Sequence, residues 1–215
     1  MDKNISLLNK TNIKSGKLIG LIPEFYELKN VIENNDWHNK ENVFVHTLSV
    51  FDNLEKAFRN LNEKTEQFLN KKIDNITRKN LLKIATLFHD IAKKETIIDN
   101  KNSTLCPSHE DKGSIKAKTI LKRFNLSDKE LKFILSIVKN HGLIHKILPP
   151  DNQNFQKEFV NFKKRFFHNI YPELILLAFA DTVGSYLIKT HPTEFKSRIS
   201  FYKKEIKNLP PKSKI

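Results

Sequence analysis

The sequence of 215 residues contains one cysteine, Cys106, so an intramolecular disulfide is excluded and a reducing compartment is favoured. The first residues lack the apolar segment that a signal peptide needs. No hydrophobic run approaches the ~18 residues of a membrane-spanning helix. The densest run, LILLAFA at residues 174–180, ends at Asp181. We therefore expect a soluble cytoplasmic protein without a membrane partner.

Glycine is scarce as well, with five residues, and few segments alternate apolar with polar side chains. Apolar residues instead recur every three or four positions, which indicates helices. Within residues 42–61 they form one stripe that we expect to be buried: Val45, Leu48, Phe51, Leu54, Phe58 and Leu61. Residues 80–92 are apolar on too many sides for a surface helix, so we expect this helix to be central.

Two further helices have recognisable starts. One is predicted to begin near Asp111 and to run through Ile115, Ile120 and Leu121 as far as Phe124. The next has the clearest start signal in the chain, because Ser127 is followed three residues later by Glu130, which together form a capping box.

The rest of the chain also predicts helices. Gly142 predicts the end of the capped helix, and LPPDNQN at residues 148–154 predicts a loop. Helices are then expected over residues 155–169 and 172–190. We therefore predict an all-α fold, a compact single-domain helical bundle. The expected division is an N-terminal segment, a main domain, and a C-terminal helix with a basic, proline-containing tail: residues 1–18, 19–190 and 191–215.

The charge is strongly positive, with a formal net charge of +14. Clustered lysines would attract a polyanion such as RNA. Here the lysines are spread along the chain, and lysine, asparagine and isoleucine are all abundant, as a biased codon composition alone would produce. An RNA or tRNA partner therefore stays open, but charge alone favours it weakly.

Six side chains that can bind metal ions fall at helix ends or on inward faces: His46, His89, Asp90, His109, His141 and Asp181. Each has an ordinary structural role available. His46 could be a core histidine, His141 could complement the negative end of its helix, and Asp181 could cap a helix or pair with a lysine. Together, four imidazoles and two carboxylates are the ligand set expected for one or two borderline divalent ions.

Five motifs occur in order across residues 19–186: LIPEFYEL, WHNKENVFVHTLSVFDNL, LFHDIAKKET, SHEDKGSIKAKTIL and VKNHG. In this order they resemble the HD-domain superfamily of metal-dependent phosphohydrolases. The nearest likeness is to the HD domain of CCA-adding tRNA nucleotidyltransferases and poly(A) polymerase-type proteins. Ala92 replaces the usual glycine of the third motif. The first 40 residues lack the Gly-Ser start and paired aspartates of a nucleotidyltransferase head, so we expect a free-standing HD domain that does not add nucleotides.

The resemblance implies a helical bundle of the HD-domain type with one or two divalent ions, which could be Mn, Fe, Co, Ni, Zn or Mg. The ligands it implies for one metal are His46, His89, Asp90 and Asp181. Water activated by that metal would attack phosphorus. His109 and His141 would bind a second metal or contact the phosphate, and His109 could also transfer a proton. Asp90 would take part in catalysis or bridge two metals.

Other roles are implied around that centre. Lys93 occupies the family's phosphate-contacting position and is therefore a catalytic and substrate-binding candidate. His38 would line the substrate entrance, and Glu110 would orient a metal ligand. His145 would share a face with His141 only if the helix continued past Gly142. His168 and His191 are expected to be structural, and Cys106 has no partner pattern that would make it a nucleophile.

The resemblance and the residues together imply an enzyme. It would hydrolyse a phosphomonoester or phosphodiester bond of a nucleotide or of an RNA-end phosphate, including a 2′,3′-cyclic phosphate. One alternative is a non-catalytic RNA-binding or regulatory module that keeps the site as a relic. Another is hydrolysis of a signalling nucleotide, either a dinucleoside polyphosphate or a guanosine polyphosphate. The complete ligand set favours an enzyme over a relic.

Overall fold

The computed structural model describes residues 5–149 and 151–210, and it confirms an all-α fold. In chain order the helices are α1 (Lys10–Lys14), α2 (Pro23–Glu27), α3 (Val43–Phe58), α4 (Glu63–Leu69), α5 (Arg78–Phe88), α6 (Lys93–Thr96), α7 (His109–Leu121), α8 (Asp128–Asn140), α9 (Leu143–Ile147), α10 (Phe155–Phe166), α11 (Tyr171–Gly184), α12 (Leu187–Thr190) and α13 (Pro192–Lys207). Short 3-10 turns cover Ile5–Leu7 and Leu28–Asn30.

Three small antiparallel hairpins lie between these helices, which the scarcity of alternating patterns did not predict. They pair β1 (Ile32–Asn35) with β2 (His38–Asn42), β3 (Lys72–Ile73) with β4 (Ile76–Thr77), and β5 (Ile98–Asn100) with β6 (Ser103–Leu105). The first and third hairpins touch, because the backbone N–H of Asn34 donates to Thr104 Oγ1 at 2.8 Å. Strands this short are set by their partners and turns, so periodicity in the sequence does not reveal them.

The core lies where α3, α5, α8 and α11 meet. α11 packs against α3 and α13, and α5 packs between α3 and α8. Leu54, Leu81, Leu82 and Ile134 are fully buried there. The prediction that the helix around residues 80–92 is central is confirmed. Burial of these apolar faces is the main stabilising contribution to the bundle.

Helix starts agree with the side-chain caps. The predicted capping box is present, because Ser127 Oγ accepts from the Glu130 backbone N–H and Glu130 Oε2 accepts from the Ser127 backbone N–H. Asn42 Oδ1 accepts from the Val45 N–H at 3.1 Å and begins α3. These caps place the first turns of α3 and α8, which lead to His46 and His141 respectively.

One prediction about burial is wrong. Val45, expected in the buried stripe of α3, is 55% exposed. The remaining members of the α3 stripe from Leu48 to Phe58 are buried. Apolar residues spaced by three or four positions indicate a helix. Which edge of that apolar stripe is buried depends on the elements that pack against the helix.

Several predicted helix ends are also wrong. The central helix ends at Phe88 rather than at residue 92, and Ile91 and Ala92 are buried in the turn that follows. Apolar side chains in a buried turn look like a continuing helix in the sequence. The helix predicted over residues 172–190 breaks after Gly184, and the one over residues 155–169 ends at Phe166.

The capped helix ends next to Gly142 as predicted, because α8 stops at Asn140 with His141 as its C-cap. Gly142 itself has a right-handed helical φ of −78° and ψ of −12°, and the short helix α9 follows it directly. The left-handed stop that glycine often supplies is therefore absent at this position, and His145 is carried onto a second short helix.

No helix among residues 5–149 and 151–210 is long and apolar enough to cross a membrane. Pro150 of the predicted loop, residues 1–4 of the predicted N-terminal segment, and residues 211–215 of the predicted basic tail lie outside the described residues. The predicted division at residues 18 and 190 stays a prediction.

Candidate metal centre

Asp90 lies at the centre of the site, in the turn after α5, and is 2% exposed. Its Oδ2 is 3.1 Å from His89 Nε2 and 4.0 Å from His46 Nε2. Its Oδ1 is 3.5 Å from His109 Nε2 and 3.7 Å from His141 Nε2. The two oxygens of one carboxylate therefore face two different pairs of histidines.

The first pair, with Asp90, forms a cluster whose potential ligand atoms lie within 4.8 Å of one another: His46, His89 and Asp90. His89 Nδ1 is 2.7 Å from the Thr86 carbonyl, which can only accept, so this nitrogen carries the proton and Nε2 has its lone pair free. Asp90 Oδ2 has the Lys93 ammonium at 2.9 Å, whereas His89 Nε2, 3.1 Å from that oxygen, is buried without a hydrogen bond. A buried polar atom left in this way is costly unless a cation binds it.

The second pair forms a matching cluster with the same carboxylate: Asp90, His109 and His141. His109 donates from Nδ1 to the Cys106 carbonyl, and His141 donates from Nδ1 to the Val138 carbonyl, both at 2.7 Å. Both Nε2 atoms, 3.3 Å apart, are therefore turned toward Asp90. His109 is the first residue of α7, which begins slightly before the predicted start, and His141 caps the C-terminus of α8 as predicted.

Asp181, from α11, lies at the edge of the first cluster. Its Oδ1 is 3.0 Å from His46 Nε2, and its Oδ2 is 3.1 Å from His145 Nε2. Burial by itself would raise the pKa of Asp181, but the hydrogen bonds from His145 and His46 outweigh it and hold the pKa well below the usual range. The carboxylate is therefore ionised and available to a cation.

His145 is a member of the site that the sequence did not predict. Gly142 lets the chain continue into α9, which brings His145 beside Asp181. The hydroxyl of Tyr202, from α13, is 3.2 Å from His145 Nδ1. The helix at the end of the described chain therefore contacts the site through a histidine.

Glu41, on β2, is a second member that the sequence did not predict. Its Oε2 is 3.3 Å from His46 Nδ1 and 3.2 Å from His38 Nδ1. Burial would raise the pKa of Glu41, but hydrogen bonds from His38 and His46 outweigh it and lower the pKa to about 2. Burial would lower the pKa of His46, but its bonds to Asp181 and Glu41 raise it to about 10. Only the fold of the first hairpin reveals this contact.

Lys93 opens α6 and is almost completely buried at 5% exposure. Its Nζ lies 2.6 Å from Glu33 Oε2 and 2.9 Å from Asp90 Oδ2. Burial would lower the pKa of Lys93, but the charges of Asp90 and Glu33 outweigh it and raise the pKa. The predicted phosphate contact stays a prediction, and the structure adds a role in neutralising two buried carboxylates.

Glu110 lies beside His109 and contacts the start of α9. Its Oε1 is 2.8 Å from Lys146 Nζ, and its Oε2 is 3.5 Å from His109 Nδ1. A Cβ atom on Gly142 would overlap Glu110 Oε1, so glycine is needed there for the carboxylate to keep its position. The Nδ1 proton of His109 is already donated to the Cys106 carbonyl, so the orienting role expected of Glu110 stays a prediction.

Three other candidates lie as follows. His168 and His191 are outside both clusters, and His191 Nε2 is 3.3 Å from Asp36 Oδ2 at the surface. Cys106 Sγ is 3.6 Å from Glu33 Oε1, and burial raises the pKa of this thiol to about 12. A thiol with so high a pKa remains protonated, which agrees with the expectation that Cys106 is not a nucleophile.

A cavity of about 380 Å³ opens beside the two clusters. Its metal-facing side is formed by Lys93 and the ligand candidates Asp90, His109, His141 and Asp181. Its other side is formed by Trp37, His38, His145, Pro149 and Arg198. Such a cavity can hold a small molecule in contact with the candidate ligands.

The donor set fits a divalent metal. Imidazole nitrogens with free lone pairs and carboxylate oxygens are ligands for borderline ions, and the buried, unbonded His89 Nε2 faces the place where a cation would sit. A comparison with family models matches residues 43–183, well over half of the chain, to the HD domain. The chain therefore belongs to the HD domain family.

Proposed function

We propose that the protein is a metal-dependent phosphohydrolase that cleaves a phosphomonoester or phosphodiester bond of a nucleotide or of an RNA-end phosphate, including a 2′,3′-cyclic phosphate. HD domain proteins are in general metal-dependent hydrolases of phosphate esters. The observation that carries the proposal is the buried carboxylate of Asp90, whose two oxygens face two separate pairs of histidines. A structural aspartate needs only one partner.

Two metal positions are supported by the geometry. His46, His89 and Asp90 would hold one ion, with Asp181 next to them, and His109 and His141 would share Asp90 for a second ion. A bound divalent ion would lower the pKa of a water molecule from ~15.7 toward ~7 and stabilise the charge that develops on the phosphoryl oxygens. In the hydrolysis itself, the water oxygen bonds to phosphorus, the ester P–O bond breaks, and the departing alcohol oxygen gains a proton.

The surrounding residues position the substrate. With one metal bound, His109 and His141 would donate to a phosphate oxygen only from a protonated Nε2, and both residues line the cavity. Lys93 lines the same cavity, with its ammonium paired to Glu33 and Asp90. His38 is 6% exposed and lines the cavity, which supports the prediction that it borders the substrate entrance.

The likeness of the five motifs to the HD domain of CCA-adding enzymes supports an RNA end as one substrate. The test is a metal analysis of the purified protein together with an activity screen over nucleoside 5′-monophosphates, 3′-monophosphates and 2′,3′-cyclic monophosphates. Dinucleoside and guanosine polyphosphates belong in the same screen. We expect release of inorganic phosphate or ring opening that depends on added Mn²⁺ or Fe²⁺. Absence of turnover on all of them with metal bound would contradict the proposal.

A second candidate, RNA binding, is favoured by a basic stripe on α8. Lys129, Lys132, Ser136 and Lys139 recur at spacings of three and four and so share one face of the helix. Two adjoining cavities of about 500 and 320 Å³ follow this face and share Lys132. Lysines that are scattered in the sequence are therefore brought together by the fold.

Cations from neighbouring helices flank the stripe. Lys118 from α7 and Arg165 from α10 line the same cavities, and neither they nor Lys132 makes an ion pair among the described residues. Free cations in a row suit a phosphate backbone, because neutralising each phosphate releases counterions.

The RNA test compares two triple variants of equal charge change. The first set removes the three cations without an ion pair among the described residues, one in the stripe and two beside it: Lys132→Glu, Lys118→Glu and Arg165→Glu. The second set changes exposed lysines elsewhere: Lys17→Glu, Lys64→Glu and Lys203→Glu. We expect the first set to weaken binding of a labelled single-stranded RNA in an anisotropy titration and to reduce the salt slope by about 0.7 per lost contact. Equal losses in both sets would show only a net-charge effect.

A further inference from the structure

We infer that Trp37 forms a subsite for the nucleobase of a nucleotide substrate. The inference rests on the proposed function and deepens it, because it identifies the part of the substrate that lies beyond the phosphate. A phosphate ester without an aromatic base would not use this wall of the cavity.

Trp37 is the only tryptophan in the chain and lies outside the buried core. It sits between β1 and β2, half-buried, on the wall of the cavity beside the metal clusters. Its backbone N–H donates to Asn35 Oδ1 at 2.9 Å, and its carbonyl accepts from the Tyr186 N–H at 2.7 Å. Two hydrogen bonds thus hold the backbone of Trp37. Its large apolar ring lies at the cavity wall and not in the core.

The indole ring is fixed by two side chains. The guanidinium of Arg198 lies 5.1 Å from the ring centroid, and the ring of His145 meets it edge-on at 4.9 Å and 71°. Arg198 is itself 3% exposed and donates to Glu194 Oε1 at 2.7 Å. A ring held in place before the ligand arrives binds without further loss of side-chain freedom.

The position of Trp37 relative to the clusters suits a nucleotide. His145 touches the indole and lies 3.1 Å from Asp181, which in turn lies 3.0 Å from His46. Two side chains therefore separate the ring from the first metal cluster. A phosphate at the clusters would leave its sugar in the cavity and its base against Trp37. The volume of about 380 Å³ is within the range of pockets that hold one small ligand.

The chemistry of the wall selects a planar, aromatic group. Every nucleobase has a π-face that can stack on an indole, so such a platform tolerates different bases. Trp37 and Arg198 both lie outside residues 43–183, the part matched to the HD domain. The subsite is therefore supplied by the segments that flank the family core in this chain.

The fluorescence of the single tryptophan gives a direct test on the metal-loaded protein. We expect adenosine 5′-monophosphate to change the Trp37 emission in a saturable way and ribose 5-phosphate, which has the same phosphate and sugar without the base, to leave it nearly unchanged. Excitation is placed beyond the absorbance of adenine. Equal responses to the two ligands, or no response to either at concentrations that saturate phosphate release, would overturn the subsite.

Kinetics separate the subsite from the hydrolytic function. For Trp37→Leu we expect the KM for the adenosine nucleotide to rise about tenfold, with kcat/KM for ribose 5-phosphate unchanged. Trp37→Phe keeps a ring and should recover most of the loss. Phe167→Leu removes a partly exposed aromatic ring that contacts His168, does not line the cavity, and should leave both substrates unaffected.

The base subsite and the hydrolytic function can fail independently. Hydrolysis of both compounds with a KM that Trp37→Leu leaves unchanged would refute the base subsite and leave the phosphohydrolase standing. A base-dependent fluorescence change without any hydrolysis would support the subsite and contradict the proposed reaction.

Discussion

Glu41 Oε2 lies 3.3 Å from Nδ1 of His46, while the other ring nitrogen of this histidine faces the candidate metal position. A carboxylate in this place holds the imidazole in the tautomer and orientation that a metal requires, and it makes the ligand more basic. Glu41 therefore acts on the site through His46 and need not touch the substrate.

Replacing this carboxylate gives the first prediction. Glu41→Gln should weaken metal affinity by about 10–100-fold, because the amide cannot supply the charge that orients His46. The measurement is a competition titration with a metal-sensitive dye. Glu27→Gln, an exposed residue paired with Lys94, is the matched control and should bind metal as the unmodified protein does. Equal affinity in Glu41→Gln would show that His46 is oriented by its other contacts.

Replacing Asp90 is expected to weaken metal binding at both positions. Asp90→Asn should reduce bound metal at both clusters and abolish hydrolysis, because one carboxylate serves both. Metal content by mass spectrometry and phosphate release are measured together, with helicity checked by circular dichroism. Asp111→Asn, an exposed aspartate on α7, is the control. Full metal content in Asp90→Asn would contradict the shared role.

The pKa of His46 predicts how metal binding depends on pH. In the metal-free protein this pKa is raised to about 10, so His46 is protonated at neutral pH. A metal needs the unprotonated ring, so binding must release this proton. Apparent affinity should therefore rise with pH, by about tenfold or more per unit while the pH remains below the raised pKa. Titrations from pH 6.5 to 8.5 test this, and a flat profile would contradict it.

Loss of the buried ion pair between Lys93 and Glu33 is expected to lower the free energy of unfolding. Lys93→Met leaves Glu33 and Asp90 buried without their shared cation, which should cost about 3–5 kcal/mol of unfolding free energy in chelator. Adding Glu33→Gln should recover part of the loss, because one fewer carboxylate is then stranded. Urea unfolding followed by circular dichroism measures both, with the exposed Lys94→Met as control. A change as small as that of the control would mean that water reaches the pair.

Replacing Gly113 in α7 is expected to raise the stability of the protein. A Cβ at this position would meet the His89 carbonyl and Val138 Cγ1 at 3.5 Å, which is ordinary van der Waals contact. Alanine is favoured over glycine in a helix interior by about 1 kcal/mol. Gly113→Ala should therefore raise the urea midpoint without loss of metal binding. A lowered midpoint would indicate that α7 cannot approach α5 closely enough with the added methyl group.

The helices and most candidate ligands could be predicted because each depends on a local pattern. The capping box at Ser127 marks α8, and the apolar stripe marks α3, so the sequence alone places His141 and His46 on their helices. His89 and Asp90 follow the buried run of α5, which is an unusual place for polar side chains.

Glu33, Glu41 and His145 could not be predicted, since each reaches the site by way of an element too short to have a period. Glu33 and Glu41 lie on strands of four and five residues, and His145 lies on a helix of five residues. The predicted burial of Val45 was wrong for a related reason, because the packing of distant segments decides it. Local patterns find elements, and only tertiary contacts show which polar groups meet.

The helix α13 lines the cavity with Arg198 and contacts the cavity residue His145 through the Tyr202 hydroxyl, although α13 lies beyond the residues matched to the family. If Trp37 forms the proposed base subsite, ligand choice depends on residues outside the family match, whereas the candidate metal ligands lie inside it. In that case, grafting α13 and the turn that carries Trp37 onto a relative would transfer the preference for a nucleobase without transferring catalysis.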